Sequence, residues 1–379
     1  MNYRAEDIKW AEEVWEKLQK KLSVVSERVK DILPGDADEN GKFVDRGNDI
    51  FWWTNGFWAG LLWQMYHATG EESYKTYAEV IEKKLDTALE EFWGLHHDVG
   101  FMWSLSAVAD YRLTGNEKSK NRGLHAASVL AGRYNPNGHF IRAWNPECDP
   151  SLDTRGLMII DCLMNLPLLY WADELTDDHR YDSIAKEHAD TALRYILRED
   201  GSCNHIVQFD SETGEFVKSL GGQGYGEGSS WSRGQSWAVY GFTLSYLYTK
   251  EERYLNAAKQ AAHYFIANAA LNDYVPLLDF RAPQEPKYID TTAGVITACG
   301  LLELSKHVGE LERPLYMESA MRMLKVLVER YCDWNEETDA ILGYGSGAYH
   351  KDVHHPIIYG DYFLLEAVLR ILGKDTLLW

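Results

Sequence analysis

The chain is poor in cysteine, in strand-forming pattern, in positive charge and in long apolar runs. Its five cysteines (Cys148, Cys162, Cys203, Cys299 and Cys332) are an odd number in 379 residues, with no paired spacing. That excludes a disulfide framework or a cysteine zinc site and describes buried thiols in a reducing compartment. Lys and Arg number 38 against 58 Asp and Glu, a formal charge of −20. Nucleic acid and anionic membrane are excluded as partners, because both need a basic surface. Any anionic ligand must be met by a local cluster of donors. No stretch reaches the roughly 18 apolar residues of a membrane span. The N-terminal "MNYRAEDIKWAEEVWEKLQKK" is charged and has no apolar signal core, so a cytoplasmic protein is expected. There is no HExxH or similar metal spacing and no GxxxxGK[ST] loop, so neither a metal nor another cofactor is expected.

Aromatic residues, by contrast, are plentiful, with 14 Trp and 23 Tyr. Flat faces suit sugar rings, although most of these side chains must be core. Apolar periodicity is equally marked. Ile8, Ala11, Val14, Leu18, Leu22, Val25, Val29 and Ile32 recur every three or four residues and specify an amphipathic helix. The same type returns around 72–92, 117–134, 180–198, 253–270 and 314–331. Between them lie six segments that open on a Gly-rich or polar turn and continue nearly all-apolar, such as "WTNGFWAGLLWQMYHATG" and "DTTAGVITACGLLELSKHVG". A helix apolar all round is buried on every side, whereas one with a single apolar stripe lies outside it. Six of each, in alternation, predict an all-α fold: an (α/α)6 barrel of two concentric rings, with residues 1–379 as one domain. Strand signals are confined to short pieces near 137–143 and 203–218.

In such a barrel the loops before the inner helices share one end. Here these are 34–52, 93–99, 135–155, 199–232, 279–290 and 333–359, which would form a funnel. Two carboxylates stand at it. Asp98, in "GLHHDVGFMWSLSA", either caps the second inner helix or belongs to an active site. Asp161, in "GLMIIDCLMNLPLLYW", is placed one turn into the third inner helix within an apolar run. A carboxylate there must be paired, hydrogen-bonded or raised in pKa, and at a cleft mouth it is a candidate general acid. Trp53, Trp144, Trp231, Trp237, His97, His205, His350, Gln223 and Arg233 fall around them.

The segments "WTNGFWAGLLW", "HHDVGFMWSLSA", "IIDCLMNLPLLYWA", "WSRGQSWAVYGF", "QEPKYIDTTAGVITACGLLE" and "YGDYFLLEA" closely resemble the unsaturated glucuronyl hydrolases of glycoside hydrolase family 88. The resemblance runs in order over nearly the whole chain. It implies the (α/α)6 barrel and an enzyme that removes 4,5-unsaturated uronic acid from lyase-generated glycosaminoglycan oligosaccharides, with that oligosaccharide as the partner. It implies Asp161 as catalytic acid/base and Asp98 as the second essential aspartate. Trp53, Trp144, His205, Gln223, Arg233 and Trp237 match positions lining the family's substrate pocket; His97 and His350 fall beside it. Any of Trp53, Trp144 and Trp237 is a candidate stacking face. The rival readings are an unsaturated rhamnogalacturonyl hydrolase acting on pectin fragments, a sugar 2-epimerase using histidines, and a non-catalytic carbohydrate-binding barrel.

Overall fold

The computed structural model describes residues 3–146 and 152–379; Cys148 lies outside that range. Six amphipathic helices, α1 (Ala5–Arg28), α3 (Glu72–Glu91), α6 (Glu117–Ala131), α8 (Arg180–Tyr195), α10 (Glu252–Ala270) and α12 (Arg313–Tyr331), form an outer layer. Each buries one stripe. On α1 that stripe is Ala11, Val14, Leu18, Leu22 and Val25, the positions at which apolar residues recur in the sequence. Inside them lie α2 (Phe57–Thr69), α7 (Leu166–Thr176), α9 (Ser232–Thr249), α11 (Thr291–Leu304) and α13 (Ile358–Leu372). The sixth inner helix is composite: α4 (Val99–Trp103), a π turn (Ser104–Val108) and α5 (Ala109–Thr114). Every residue of α11 is buried, as a helix apolar on all sides requires.

Neighbouring inner helices pack in chain order, and α13 packs back on α2, which closes the ring. The result is the (α/α)6 barrel. Its axis is filled by aromatic side chains. Phe57, Phe101, Trp237 and Phe363 are fully buried, and Phe101 and Trp237 lie 5.2 Å apart between ring centres. Each such side chain contributes roughly 1.5–3 kcal/mol by leaving water. Most tryptophans serve this core; among the described residues only Trp93 is exposed. Cys162, Cys203 and Cys299 are buried free thiols, and Cys332 is half-buried and free.

The loops at the helix N-termini carry more strand than the sequence pattern shows. β1 (Pro34–Ala37) pairs with β2 (Phe43–Asp45), and β3 (Tyr134–Asn135) with β4 (Phe140–Ile141). β5 (Leu157–Ile159), β6 (Ile206–Phe209) and β7 (Phe216–Leu220) form an antiparallel sheet. β5 corrects one expectation. Asp161 is not a turn into a helix: it follows this strand within a 3₁₀ turn, Ile160–Met164, and α7 begins only at Leu166. A short, β-branched apolar run reads equally as strand or buried helix, and pairing with β6 decides for strand.

Candidate active site

The three-stranded sheet places the first two groups together. Ile159 pairs with Ile206, and the Ile160 N–H donates to the His205 carbonyl at 3.1 Å. The chain directions then bring the His205 ring to the Asp161 carboxyl, with Nε2 3.7 Å from Oδ2. His205 Nδ1 accepts the Gln223 backbone N–H at 2.9 Å, so the ring proton resides on Nε2. This contact needs a close turn. Gly222 has φ +57°, and a side chain there would meet His205 Nδ1 at 2.1 Å. Gln223 Nε2 donates to the Gly347 carbonyl at 2.7 Å, tying the 219–227 loop to the 344–350 loop. His350 is exposed at that rim, its Nε2 2.8 Å from the Tyr225 carbonyl.

Asp98 arrives from the opposite side. It stands at the N-cap position of α4, but its side chain makes no cap hydrogen bond. Its carboxylate is committed elsewhere: His96 Nδ1 lies 3.2 Å and His97 Nε2 3.3 Å from Oδ2. Asn165 Nδ2 donates to Oδ1 at 3.2 Å. The same Asn165 amide donates to the Asp161 carbonyl at 3.1 Å, and its oxygen accepts the Phe101 N–H at 2.7 Å. One fully buried side chain thus joins the two carboxylate segments and the start of α4. The approach requires glycine at position 100, where a Cβ would lie 2.5 Å from Asn165 Cα.

The two carboxyls are pushed apart electrostatically. Burial raises the Asp161 pKa, the negative charge of Asp98 raises it further, and the group reaches about 7 although Arg233 opposes the shift. Burial would also raise Asp98, but the contacts of His97 and His96 outweigh it and hold Asp98 well below the usual carboxylate range. At neutral pH Asp98 is ionised, while Asp161, raised to about 7, is still available in its protonated form. Burial pushes His205 down to about 3, so its ring is neutral. Asp161 exposes 14% of its side chain, while its Oδ2 is buried with no hydrogen-bond partner among the described residues.

The remaining expected residues divide. Arg233 is buried; it pairs with Asp290 at 3.2 Å and donates to the Ser346 and Gly347 carbonyls, with Trp231 4.5 Å from its guanidinium. Trp53 is half-buried, its ring 5.1 Å from Tyr359 and 5.3 Å from Phe101. Trp144 is half-buried against Ala143, Leu157, Ile159 and Ile206. Trp237 differs from a stacking platform. It is fully buried, packed on Phe101 and Phe363, and it turns its indole N–H edge toward the Asp161 carboxyl. His97 is likewise buried against Asp98 and lines the support of that carboxylate. Sequence reasoning missed His96 and Asn165. "HHD" held the first in plain view, and Asn165, one turn beyond Asp161 in an apolar run, carried the same buried-polar signal. His96, His97 and Asp98 place one ligand atom each within 4.8 Å of one another, near enough for a cation. Their contacts to the single Asp98 oxygen account for that approach.

A carboxyl raised to near neutrality beside an ionised one, with half-buried tryptophans nearby, is a glycosidase-type arrangement, and similarity to known proteins agrees. Residues 25–276 match Glycosyl Hydrolase Family 88. The chain is 38% identical over 370 residues to an unsaturated glucuronyl hydrolase of Bacillus sp. (strain GL1), covering 94% of this chain and 96% of that protein. It is 33% identical over 368 residues to an unsaturated chondroitin disaccharide hydrolase of Streptococcus pyogenes serotype M1, covering 95% and 90%. The crystal structure of the Bacillus sp. GL1 unsaturated glucuronyl hydrolase, responsible for the degradation of glycosaminoglycan, matches with TM-score 0.88 at 37% identity, covering 94% of this chain and 96% of that one. The chain belongs to glycoside hydrolase family 88.

Proposed function

We propose that residues 1–379 form one catalytic domain that removes the 4,5-unsaturated uronic acid from the non-reducing end of lyase-generated glycosaminoglycan oligosaccharides. The observation that carries this reading is the pairing of Asp161, raised to about 7, with Asp98, held ionised beside it. The sugar offers a vinyl ether: a C4=C5 double bond joined to the ring oxygen. Neutral Asp161 donates its proton to C4, and the positive charge that forms at C5 is shared with the ring oxygen. The Asp161 carboxylate then takes a proton from water as its oxygen adds to C5. The resulting hemiketal opens to a C5 ketone, and the hemiacetal left at C1 collapses, releasing the remaining sugar. One water is consumed and Asp161 ends as it began. No nucleophile attacks C1, so the carboxylate-spacing rule for ordinary glycosidases does not govern the site.

Asp98 holds sugar hydroxyls and, by its charge, keeps Asp161 protonated. Trp53 and Trp144 supply faces for the ring, while His205, Gln223, Arg233, Trp237 and His350 line or brace the funnel. A sugar 2-epimerase would need a histidine to exchange protons near neutrality, which His205, pushed down to about 3, is ill suited to do. No helix of the described residues is long and apolar enough to cross a membrane; a cytoplasmic setting suits the free thiols. The test is incubation with a lyase-generated unsaturated disaccharide while following the vinyl ether absorbance. Its decay, with release of the second sugar, is expected; a stable absorbance would refute the reading.

A further inference from the structure

A cavity lies behind the segment that carries His97 and Asp98, and neither Asp98 nor Asp161 lines it. Its volume is about 770 Å³, and it is walled by the 92–95 turn, the end of α6, the β3–β4 hairpin, Asn145 and Arg155. That size falls in the roughly 300–1,000 Å³ range of small-molecule sites. Its charge is at odds with the chain around it. Asp and Glu outnumber Lys and Arg by 58 to 38, yet none of the described lining residues is acidic, and Arg133, Arg142 and Arg155 all line it with His125. Arg133 is fixed in orientation, donating to the carbonyls of Leu95, Ala143 and Arg142 and to Asn145 Oδ1. Among the described residues, the buried Arg142 Nε has no hydrogen-bond partner and the side chain makes a 3.3 Å contact from Nη2 to Asn145. Arg155 reaches in from an ion pair with Asp153 at 2.8 Å.

Aromatic rings stand at the same mouth. Trp93 is 68% exposed and Phe92 53% exposed, edge to face 6.4 Å apart. Phe92 holds φ +27°, a conformation that a bulky residue adopts only at a cost in strain. Burial of these rings does not repay that cost in the free protein. Exposed indole beside guanidinium groups is the chemistry that binds a sugar bearing an anion. The apolar ring face lies on Trp, and the carboxylate or sulfate is taken by Arg.

We propose that this pocket is a second binding site for an anionic saccharide, a sugar carrying a uronate carboxylate or a sulfate, separate from the catalytic funnel. It would hold product or a further part of a chain while the funnel works. The choice of sugar rests on the proposed function; the existence of an anion-and-sugar site does not.

The probe is a saturated, sulfated uronic-acid disaccharide, which lacks the double bond and is not consumed. Calorimetric titration of the whole protein should show binding that falls about tenfold in Arg142→Ala, in Arg155→Ala and in Trp93→Ala, the loss of one charge-assisted or stacking contact each. Arg155 and Trp93 are exposed, so those variants keep the fold. Turnover of an unsaturated disaccharide, measured separately, should keep its kcat and KM in all three. Affinity unchanged in the variants overturns the proposal. So does equal binding of an uncharged disaccharide, or inorganic sulfate binding as tightly as the sulfated sugar at matched ionic strength.

Discussion

Two aspartates of the same intrinsic acidity end on opposite sides of neutrality because of what surrounds each. Asp98 has two imidazoles and an amide around it, whereas Asp161 has an apolar wall, a neutral His205 and the charge of Asp98 itself. The pH dependence follows. With Asp161 as the proposed proton donor, activity should fall as pH rises through about 7, giving an optimum on the acid side of neutrality. Replacing Asp98→Asn removes the charge that raises Asp161. The residual rate should therefore lose its alkaline limb at lower pH than the parent; an unmoved limb would separate the two groups. The tryptophans should divide in kinetics as they do in burial. Trp53→Ala should raise KM several-fold more than it lowers kcat. Trp237→Phe, which removes the N–H edge facing Asp161 at the cost of some core volume, should lower kcat with little change in KM. Asn165→Ala should fold, at a cost of about 1–3 kcal/mol for the stranded Phe101 N–H, and lose about ten- to a hundredfold in kcat as the two carboxyls drift out of register.

At the scale of elements, the order and faces of all twelve barrel positions were legible in the sequence, because core-facing helices must be apolar all round and outer ones on one stripe only. What was not legible is pairing between distant short segments. "LMII" and "HIVQF" each satisfy more than one local structure, and only their meeting as β5 and β6 makes Asp161 the residue after a strand. The buried state of Trp237 was hidden for a similar reason. Its neighbours Phe101 and Phe363 come from helices 136 and 126 residues away. Asp98 shows the reverse limit. Its position does match a helix cap, but the two histidines before it and Asn165 compete for the side chain and win. The close approach of α4 to the Asp161 turn gives a direct test. Gly100→Ala must displace Asn165 and should destabilise the protein by about 1–3 kcal/mol, with activity falling further than stability; full activity would deny that this contact sets the site.

Across the whole molecule, three buried carboxyls, Glu82, Asp161 and Asp361, are each raised to about 7, chiefly by burial. Each binds its proton more tightly in the folded than in the unfolded state. The stability they contribute is complete below an unfolded value near 4 and is lost as pH rises through about 7. Asp98 acts in the opposite sense, and only below its unfolded value. The imidazoles of His97, His188 and His205, lowered by burial, oppose that loss below their unfolded value near 6.5, so Tm should decline chiefly between about pH 6.5 and about pH 8. Asp361, in the first turn of α13, touches neither aspartate of the site and accepts the Ile341 and Leu342 N–H groups at 3.0 and 2.7 Å. Asp361→Asn keeps an acceptor and should flatten that decline by on the order of 1–3 kcal/mol, with the pH–activity profile unchanged. A decline of the same slope in the variant would remove Asp361 from the account.

The central claim is that the Asp161 carboxyl delivers the proton to C4, and Asp161→Asn tests it most directly. The amide preserves shape but has no proton to give. The variant should fold, bind the unsaturated disaccharide with an affinity close to the parent's, and lose about 10⁴-fold or more in turnover, the upper end of general acid–base help, because one residue serves both proton transfers. A folded Asp161→Asn enzyme that still turns over at near the parental rate would contradict the account and move the proton to another donor, with His205 first in line.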